Sequence, residues 1–398
     1  MKRIAIVTAT RAEYGILTPL IRRVEEDPNL DLDLIVTGTH LSDRHGRTIT
    51  FIEEDGFPIA HSIPILAPGN TPFDISLTMA NALTGFAACF RDDRPDVLVI
   101  LGDRTEMLAI ASAAMNERIP IAHLHGGEVT EGAVDDCVRH ALTKMSWLHF
   151  ASAEPYRRRI LQMGESPDRV YNVGSLGTEN ILTAPLADEA EIREITGTKP
   201  GSPYAVVTFH PVTLDMDSAR DQTLELCNAM ERRTDIFFLI TMANADTGGD
   251  EVNRIIAACA DRSPNMKLVA SLGMRRYLGA VKYAAFVLGN SSSGIIEAPV
   301  LGTPTVNIGD RQKGRLMAAT ILAAEPDEAD ILKAMDKAIR MPRTPTMIYG
   351  DGTTSRQITQ ILKRELARGP ELKKGFTDIC PETALEAPPA AGLASAKM

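Results

Sequence analysis

The residues most able to do chemistry cluster in Leu288-Gly289-Asn290-Ser291-Ser292-Ser293-Gly294-Ile295-Ile296-Glu297. Before them, the apolar run Tyr283 to Leu288 reads as a buried strand, and after them Ile295 to Leu301 reads as the start of a helix. A strand, a tight Ser/Gly turn and a helix N-terminus make an anion site, because unpaired amides and the helix dipole face the same loop. Ser291 and Ser292 lie in the turn. Glu297 sits about one turn into the helix, where a carboxylate can accept hydrogen bonds from two sugar hydroxyls. Arg311, in Gly309-Asp310-Arg311-Gln312, follows the next apolar segment as a fixed positive charge. The pattern reads as a phosphate with a ribose beside it. Its plain alternative is a serine-capped helix that binds nothing.

Four further clusters are polar. Arg11-Ala12-Glu13-Tyr14 ends the first strand, and Gly102-Asp103-Arg104-Thr105-Glu106 follows the run VLVIL. An aspartate at a strand tip ahead of a helix is a common catalytic placement and equally a helix N-cap. The third cluster is His123-Leu124-His125-Gly126-Gly127-Glu128, followed by Asp135-Asp136 and Arg139-His140. His123 and His125 alternate along a strand and so point to one side, but no third ligand stands at a recognisable spacing, and no metal is expected. In the fourth, Thr208-Phe209-His210-Pro211-Val212-Thr213, His210 ends a strand and would face carboxylates across a domain boundary. There it can act as an acid or a charge partner, or be a structural histidine.

These residues need elements to hold them. Strands are expected at Arg3–Thr8, Asp31–Thr37, Asp96–Leu101 and Ile119–Leu124, with helical patterns between them. The loop after the second, Gly38 to Gly46, is unusually polar. Leu182 to Pro203, rich in proline and with one helical pattern around Asp188–Thr196, reads as an interdomain connection. Strand–helix alternation then resumes at Tyr204–Phe209, Ile236–Thr241, Lys267–Ala270 and Ala284–Leu288. Such alternation argues for parallel doubly wound sheets, whose ligands bind at the carboxyl ends of strands, and each polar motif follows a strand. The first turn lacks G-x-G-x-x-G, and Asp31 and Asp33 begin the second strand where a ribose-binding acid should end it, so no nicotinamide cofactor is expected.

A chain of 398 residues exceeds one ordinary core and suggests two domains of ~150–200 residues. Net charge −10 and a pI near 5.4 argue against nucleic acid, whose phosphates need a basic face. Cys89, Cys137, Cys227, Cys259 and Cys380 are far apart and form no C-x-x-C pair, the pattern of reduced thiols rather than of a disulfide framework or structural zinc. Only four apolar residues precede Thr8, too few for a signal peptide, and no run of about 18 apolar residues occurs. A cytoplasmic protein without a membrane partner is expected.

In order, TATRAEYG, VTGTHLSDRHGRTI, LGDRTE, HLHGGEVTEGAVDDCVRHALTKMS, TFHPVT, GNSSSGIIEAP and IGDRQKGR resemble the UDP-N-acetylglucosamine 2-epimerase family. The resemblance runs from Lys2 to about Leu366. GDR, HGGE with the following D-x-x-x-R-H, and HPVT point to its hydrolysing branch. The resemblance implies an α/β, GT-B-like fold: two Rossmann-type doubly wound parallel-sheet domains with an interdomain cleft. The first would span 1–184, with a helix at about 355–368 packing back on it, and the second, nucleotide-binding, 185–350. Residues 376–398 would be a disordered tail.

The implied reaction releases UDP and N-acetylmannosamine from UDP-N-acetylglucosamine through a 2-acetamidoglucal, for nonulosonic (sialic-type) acid synthesis, with no cofactor. The same reaction on UDP-2,4-diacetamido-2,4,6-trideoxyglucose, for legionaminic-type acids, and a GT-B glycosyltransferase are the alternatives. By resemblance Arg11, Ser291, Ser292 and Arg311 would bind phosphates and Glu297 the ribose. Asp103 and Asp135 would be acid/base carboxylates, and His210 would stabilise the leaving diphosphate. Two positions depart from the pattern. His125 stands where some members have glutamate, which makes it a candidate base. Ile16 stands where a phosphate-binding lysine sometimes follows. A homo-oligomer, dimer or tetramer, is also implied.

Overall fold

The structure, a computed structural model, describes residues 1–69, 71–129, 134–211, 216–242, 249–270 and 272–378. Val212, Thr213, Cys380 and most of the expected tail lie outside these residues. Strands β1 (Lys2–Thr8), β2 (Leu30–Thr37), β3 (Ile59–Ile63), β4 (Val97–Leu101), β5 (Ile121–Leu124), β6 (Leu148–Ala151) and β7 (Val170–Asn172) form a first parallel sheet. Its order is β3-β2-β1-β4-β5-β6-β7. The helices of this half are α1 (Arg11–Glu25), α2 (Ile49–Glu54), α3 (Pro72–Asp92), α4 (Thr105–Asn116), α5 (Val134–Met145), α6 (Glu154–Gln162) and α7 (Leu176–Thr183). After α8 (Glu189–Thr196), a second parallel sheet is built from β8 (Tyr204–Thr208), β9 (Phe237–Thr241), β10 (Met266–Val269), β11 (Phe286–Gly289), β12 (Thr305–Ile308) and β13 (Ile321–Ala324). Its order is β10-β9-β8-β11-β12-β13. The helices α9 (Met216–Arg232), α10 (Gly249–Arg262), α11 (Gly273–Tyr283), α12 (Ser293–Val300) and α13 (Glu328–Ala338) accompany it, and α14 (Thr354–Arg368) closes the fold. The architecture is GT-B-like α/β.

Continuous apolar runs make central strands because both faces of a parallel sheet are covered. In β1, Ile4 and Ile6 face one core together with Leu17 and Leu20 of α1. Ala5 and Val7 face the other, with Phe86 of α3 and Met107 of α4. The strands that periodicity did not reveal are β3, β6, β7, β12 and β13, which have only three to five residues each and are too short to show a pattern. Helix α7 was not foreseen either. Tyr283, expected to open the strand before the serine loop, instead ends α11, and β11 begins at Phe286.

The chain returns to its beginning. Ile358, Leu362 and Leu366 of α14 share the core of Leu17, Ile21 and Val24 in α1, and Lys363 Nζ pairs with Asp27 Oδ2 at 2.7 Å. Beyond α14, Lys374 Nζ reaches the buried Glu165 at 2.6 Å, and the Thr377 N–H donates to Gly164 O.

Among the described residues α3 alone has the length and composition of a membrane-crossing helix. Its first turn carries a reciprocal Thr71–Asp74 capping box, and Ala82, Phe86 and Phe90 are buried. These are features of a helix laid on a sheet.

Candidate active site

Both sheets reverse strand order once, between β1 and β4 and between β8 and β11. Arg11, Asp103, His210 and Ser291 follow the carboxyl ends of these four strands, and His125 and Arg311 follow the neighbouring β5 and β12. This follows from the fold, since connections leave in opposite directions at a switch point and open a crevice.

On the second sheet the organiser is Asn290. Its Oδ1 accepts from the His210 backbone N–H at 2.7 Å, and its Nδ2 donates to His210 O at 2.8 Å. Its own carbonyl accepts from Gln312 Nε2 at 2.8 Å and Arg311 Nη1 at 3.2 Å. One residue, through its side chain and its carbonyl, thus ties together the ends of β8, β11 and the loop after β12, and brings His210, the serine turn and Arg311 into one place. The strand must pass very close to β8 here. Gly289 has φ +131°, and a Cβ there would meet Thr208 O at 2.1 Å.

The Ser292 side chain makes no capping hydrogen bond to α12, while Ser291 Oγ accepts from the Ser293 N–H at 3.4 Å. Ser293 is engaged instead by the Tyr277 hydroxyl at 2.8 Å. Burial raises the Glu297 carboxyl above its ordinary range, and Glu297 Oε2 has no hydrogen-bond partner among the described residues. Such an acceptor is costly unless a ligand satisfies it.

On the first sheet, Asp103 pairs with Arg139, which is almost fully buried. Arg139 also holds Asp136 at 3.0 Å and donates to Glu128 O at 2.9 Å. His125 Nδ1 lies 3.1 Å from Glu128 Oε1, and Ser152 Oγ donates to the same carboxylate at 2.6 Å. Burial alone would raise the Glu128 carboxyl, but His125, Ser152 and Arg139 outweigh it and hold it at about 2. Asp135 is exposed in the first turn of α5. It adds to the field that, with Glu106 and Glu13, keeps Arg104 charged against the cost of burial. Arg11, the first residue of α1, is exposed, with its guanidinium 4.8 Å from the Phe51 ring centre.

The pairing of His123 with His125 is corrected. β5 stops at Leu124, and His125 has φ +63°, a left-handed conformation that side chains rarely adopt outside functional turns. His123 stays in the core, with Nε2 2.7 Å from Gly102 O, and burial pushes its pKa down to about 3. It is structural, and the strand alternation does not extend to His125.

Asp31 and Asp33 also find their place. Both pair with Arg3 at the amino end of the sheet, remote from the cleft. Asp33, His61 and Asp93 could together hold a cation, but Arg3 already occupies this cluster.

His125, Glu128 and Ser152 meet Ile296, Arg315 and Tyr349 around a cavity of about 60 Å³. Among the described residues, a hollow of about 810 Å³ is bounded by the loops after β2 and β3 and by Arg104, Glu106 and Asp135 of the first half.

Residue-level reading gave no role to Glu128, Arg139, Asn290 or Glu13, although all four lie in stretches it singled out. Glu13 carried one local signal, three residues after Thr10, whose side chain caps α1.

Two Rossmann-type parallel sheets, with a serine turn at the end of one and a carboxylate–histidine cluster at the end of the other, define a GT-B-like α/β protein. The profile of the UDP-N-acetylglucosamine 2-epimerases matches residues 22–363, and the chain belongs to that family, in its hydrolysing branch. It is 40% identical over 330 residues to the GDP/UDP-N,N'-diacetylbacillosamine 2-epimerase (hydrolyzing) of Campylobacter jejuni, covering 83% of this chain and 86% of that one. It is 39% identical to the polysialic acid biosynthesis protein P7 of Escherichia coli, covering 84% and 86%. The UDP-GlcNAc 2-epimerase of Neisseria meningitidis, solved bound to UDP-GlcNAc, superposes with a TM-score of 0.75 at 17% identity, covering 92% of this chain and all of that one.

Proposed function

We propose that the protein cleaves a UDP-activated 2-acetamido sugar by elimination and then hydrates the product with inversion at C2. A base takes the C2 proton, the electron pair forms the C1=C2 bond, and the C1–O bond breaks with UDP as leaving group. Water then adds: hydroxyl to C1, and a proton to C2 from the opposite face. With UDP-N-acetylglucosamine the products are UDP and N-acetylmannosamine. The second reading, a 2,4-diacetamido-2,4,6-trideoxy sugar nucleotide, is supported by the name of the Campylobacter relative. Either product would feed nonulosonic acid synthesis in the cytoplasm, as the name of the Escherichia coli relative suggests.

The observation that carries the reading is the opposition of the two switch points. The serine turn, Arg11 and Arg311 would take the phosphates, and the unsatisfied Glu297 Oε2 would take the ribose hydroxyls. Asp103, Asp135 and His125 would handle protons at C2 and at water, where a weakly acidic C–H demands a well-placed base. His210 would stabilise the charge that develops on the departing diphosphate.

The test is proton NMR in D₂O with no acceptor and no added metal. UDP together with a free 2-epimeric sugar deuterated at C2 is expected. Release of UDP without deuterium at C2 would point to simple hydrolysis, and release only with an added acceptor to a glycosyltransferase.

A further inference from the structure

The turn from His125 to Glu128 is pinned along its length. The His125 N–H donates to Phe150 O at 3.0 Å, Arg159 donates to Gly127 O, and Arg139 Nη1 donates to Glu128 O at 2.9 Å. Gly127, at φ +77°, lies so close to α6 that a Cβ there would meet Tyr156 O at 2.3 Å. His125 itself stands at φ +63°, a conformation that a residue other than glycine keeps only where its surroundings impose it.

This turn brings the imidazole against Glu128. His125 Nδ1 lies 3.1 Å from Glu128 Oε1, and the Ser152 hydroxyl donates to the same oxygen at 2.6 Å. The Glu128 carboxyl, held at about 2, is ionised at neutral pH. An ionised carboxylate can only accept, so the hydrogen of a neutral His125 must sit on Nδ1, and Nε2 carries the lone pair. That Nε2 is buried and has no hydrogen-bond partner among the described residues. A buried acceptor of this kind is costly unless it meets a partner in the working complex. The same residue lines the cavity shared with Arg315 and with Ile296, the neighbour of Glu297 in sequence. The other candidates for the C2 proton are placed differently. Asp103 is engaged by Arg139, and Asp135 is exposed in the first turn of α5. Of the three, His125 joins burial to an open acceptor.

We propose that Glu128, backed by Ser152, is a positioning residue that holds His125 in its Nδ1–H tautomer and presents Nε2 as the base for the C2 proton. The proposal rests on the 2-epimerase reading and says which group begins its first step. Nε2 takes the proton from C2, the C–H electron pair becomes the second bond between C1 and C2, and the C1–O pair leaves with UDP. The resulting imidazolium lies against the Glu128 carboxylate, which balances its charge as the buried aspartate of a Ser-His-Asp triad does. It gives its proton to solvent before the next turnover. Reprotonation of C2 with inversion comes from the opposite face, and so from a different group.

The first test needs no turnover. In the full-length protein labelled with ¹⁵N-histidine, the ring signals that vanish in His125→Gln identify His125. Its neutral ring is expected to show a protonated Nδ1 and a bare Nε2 by NMR, and to lose that preference in Glu128→Gln. The opposite tautomer in the unsubstituted protein overturns the assignment. The second test follows UDP release from UDP-N-acetylglucosamine and from UDP-2,4-diacetamido-2,4,6-trideoxyglucose, with Tm as the check on folding. On whichever nucleotide the unsubstituted protein turns over, Glu128→Gln is expected to lower kcat about 10²–10⁴-fold with KM little changed. Substrate deuterated at C2 should then show a primary isotope effect, because the slowed step is C2–H cleavage. Glu128→Gln combined with His125→Gln should be no slower than His125→Gln alone, as for residues that act as a unit. Losses that multiply, or no isotope effect in Glu128→Gln, would mean that Glu128 only braces the turn, and they overturn the assignment while leaving the reaction intact. No UDP from either nucleotide with the unsubstituted protein overturns the epimerase reading itself.

Discussion

Asp135 stands exposed at the mouth of the hollow, so Asp135→Asn removes a charge without disturbing a packed side chain. Asp103→Asn also breaks the pair with Arg139. Both are expected to lower kcat by about 10²–10⁴ while UDP binding, read by calorimetry, changes little. Glu297→Ala and Ser292→Ala should do the reverse, weakening UDP binding first. Normal turnover by Asp135→Asn would remove it from the acid/base set. Glu13 makes a different prediction. Burial carries its carboxyl from an ordinary 4.5 up to about 7, with Arg104 and the Ala9 N–H only partly opposing. The folded chain therefore holds a proton that the unfolded chain has released between those two values. Its contribution to stability is complete below the unfolded pKa and is lost as the pH rises through about 7. The loss is at most about 3 kcal/mol. Urea denaturation of Glu13→Gln should show a flatter pH dependence than the parent chain, and equal slopes would mean that Glu13 is ionised throughout.

At the scale of elements, α14 lies far along the sequence from the helix it stabilises. Leu362 is fully buried against α1. Leu362→Ala is expected to cost ~2–5 kcal/mol, through lost burial and the cavity left behind. Because α1 carries Arg11 at its start, the loss should appear in the unfolding midpoint of the first half before activity changes at low temperature. A change well under 1 kcal/mol would mean that α14 docks too loosely to support α1. Amphipathic spacing in 355–368 marked the helix. Which surface it covers is decided by the apolar stripe of α1 and by the pairing of Lys363 with Asp27.

On the whole molecule, the outward face of α3 remains apolar. Phe73 is 75% exposed, and Leu77 and Leu83 are each 37% exposed. Phe73, Leu77 and Ala80 follow helical spacing along one side. A homo-oligomer joined through this face is expected, and Phe73→Glu combined with Leu77→Glu should reduce the mass measured by sedimentation. An unchanged mass would place the contact elsewhere.

The alternation of apolar runs and polar strand ends in the sequence determined the doubly wound architecture, because a strand covered on both faces must be apolar throughout. Seven motifs in order determined the family. Ser291, Ser292, His210 and Arg311 were legible as a group only as separate loop residues. Asn290 joins them, by bonds across 80 positions that no local pattern encodes. Likewise the alternation of His123 and His125 was read as one strand face, whereas the turn at Gly126-Gly127 takes His125 out of β5 and toward Glu128. The hollow was not visible in the sequence at all. Its mixed polar and apolar lining comes from the loops after β2 and β3 and from α3, and the carboxylate beside it from α5. Periodicity reports what one element buries, and only the packing of several elements decides which apolar surface stays open for a ligand.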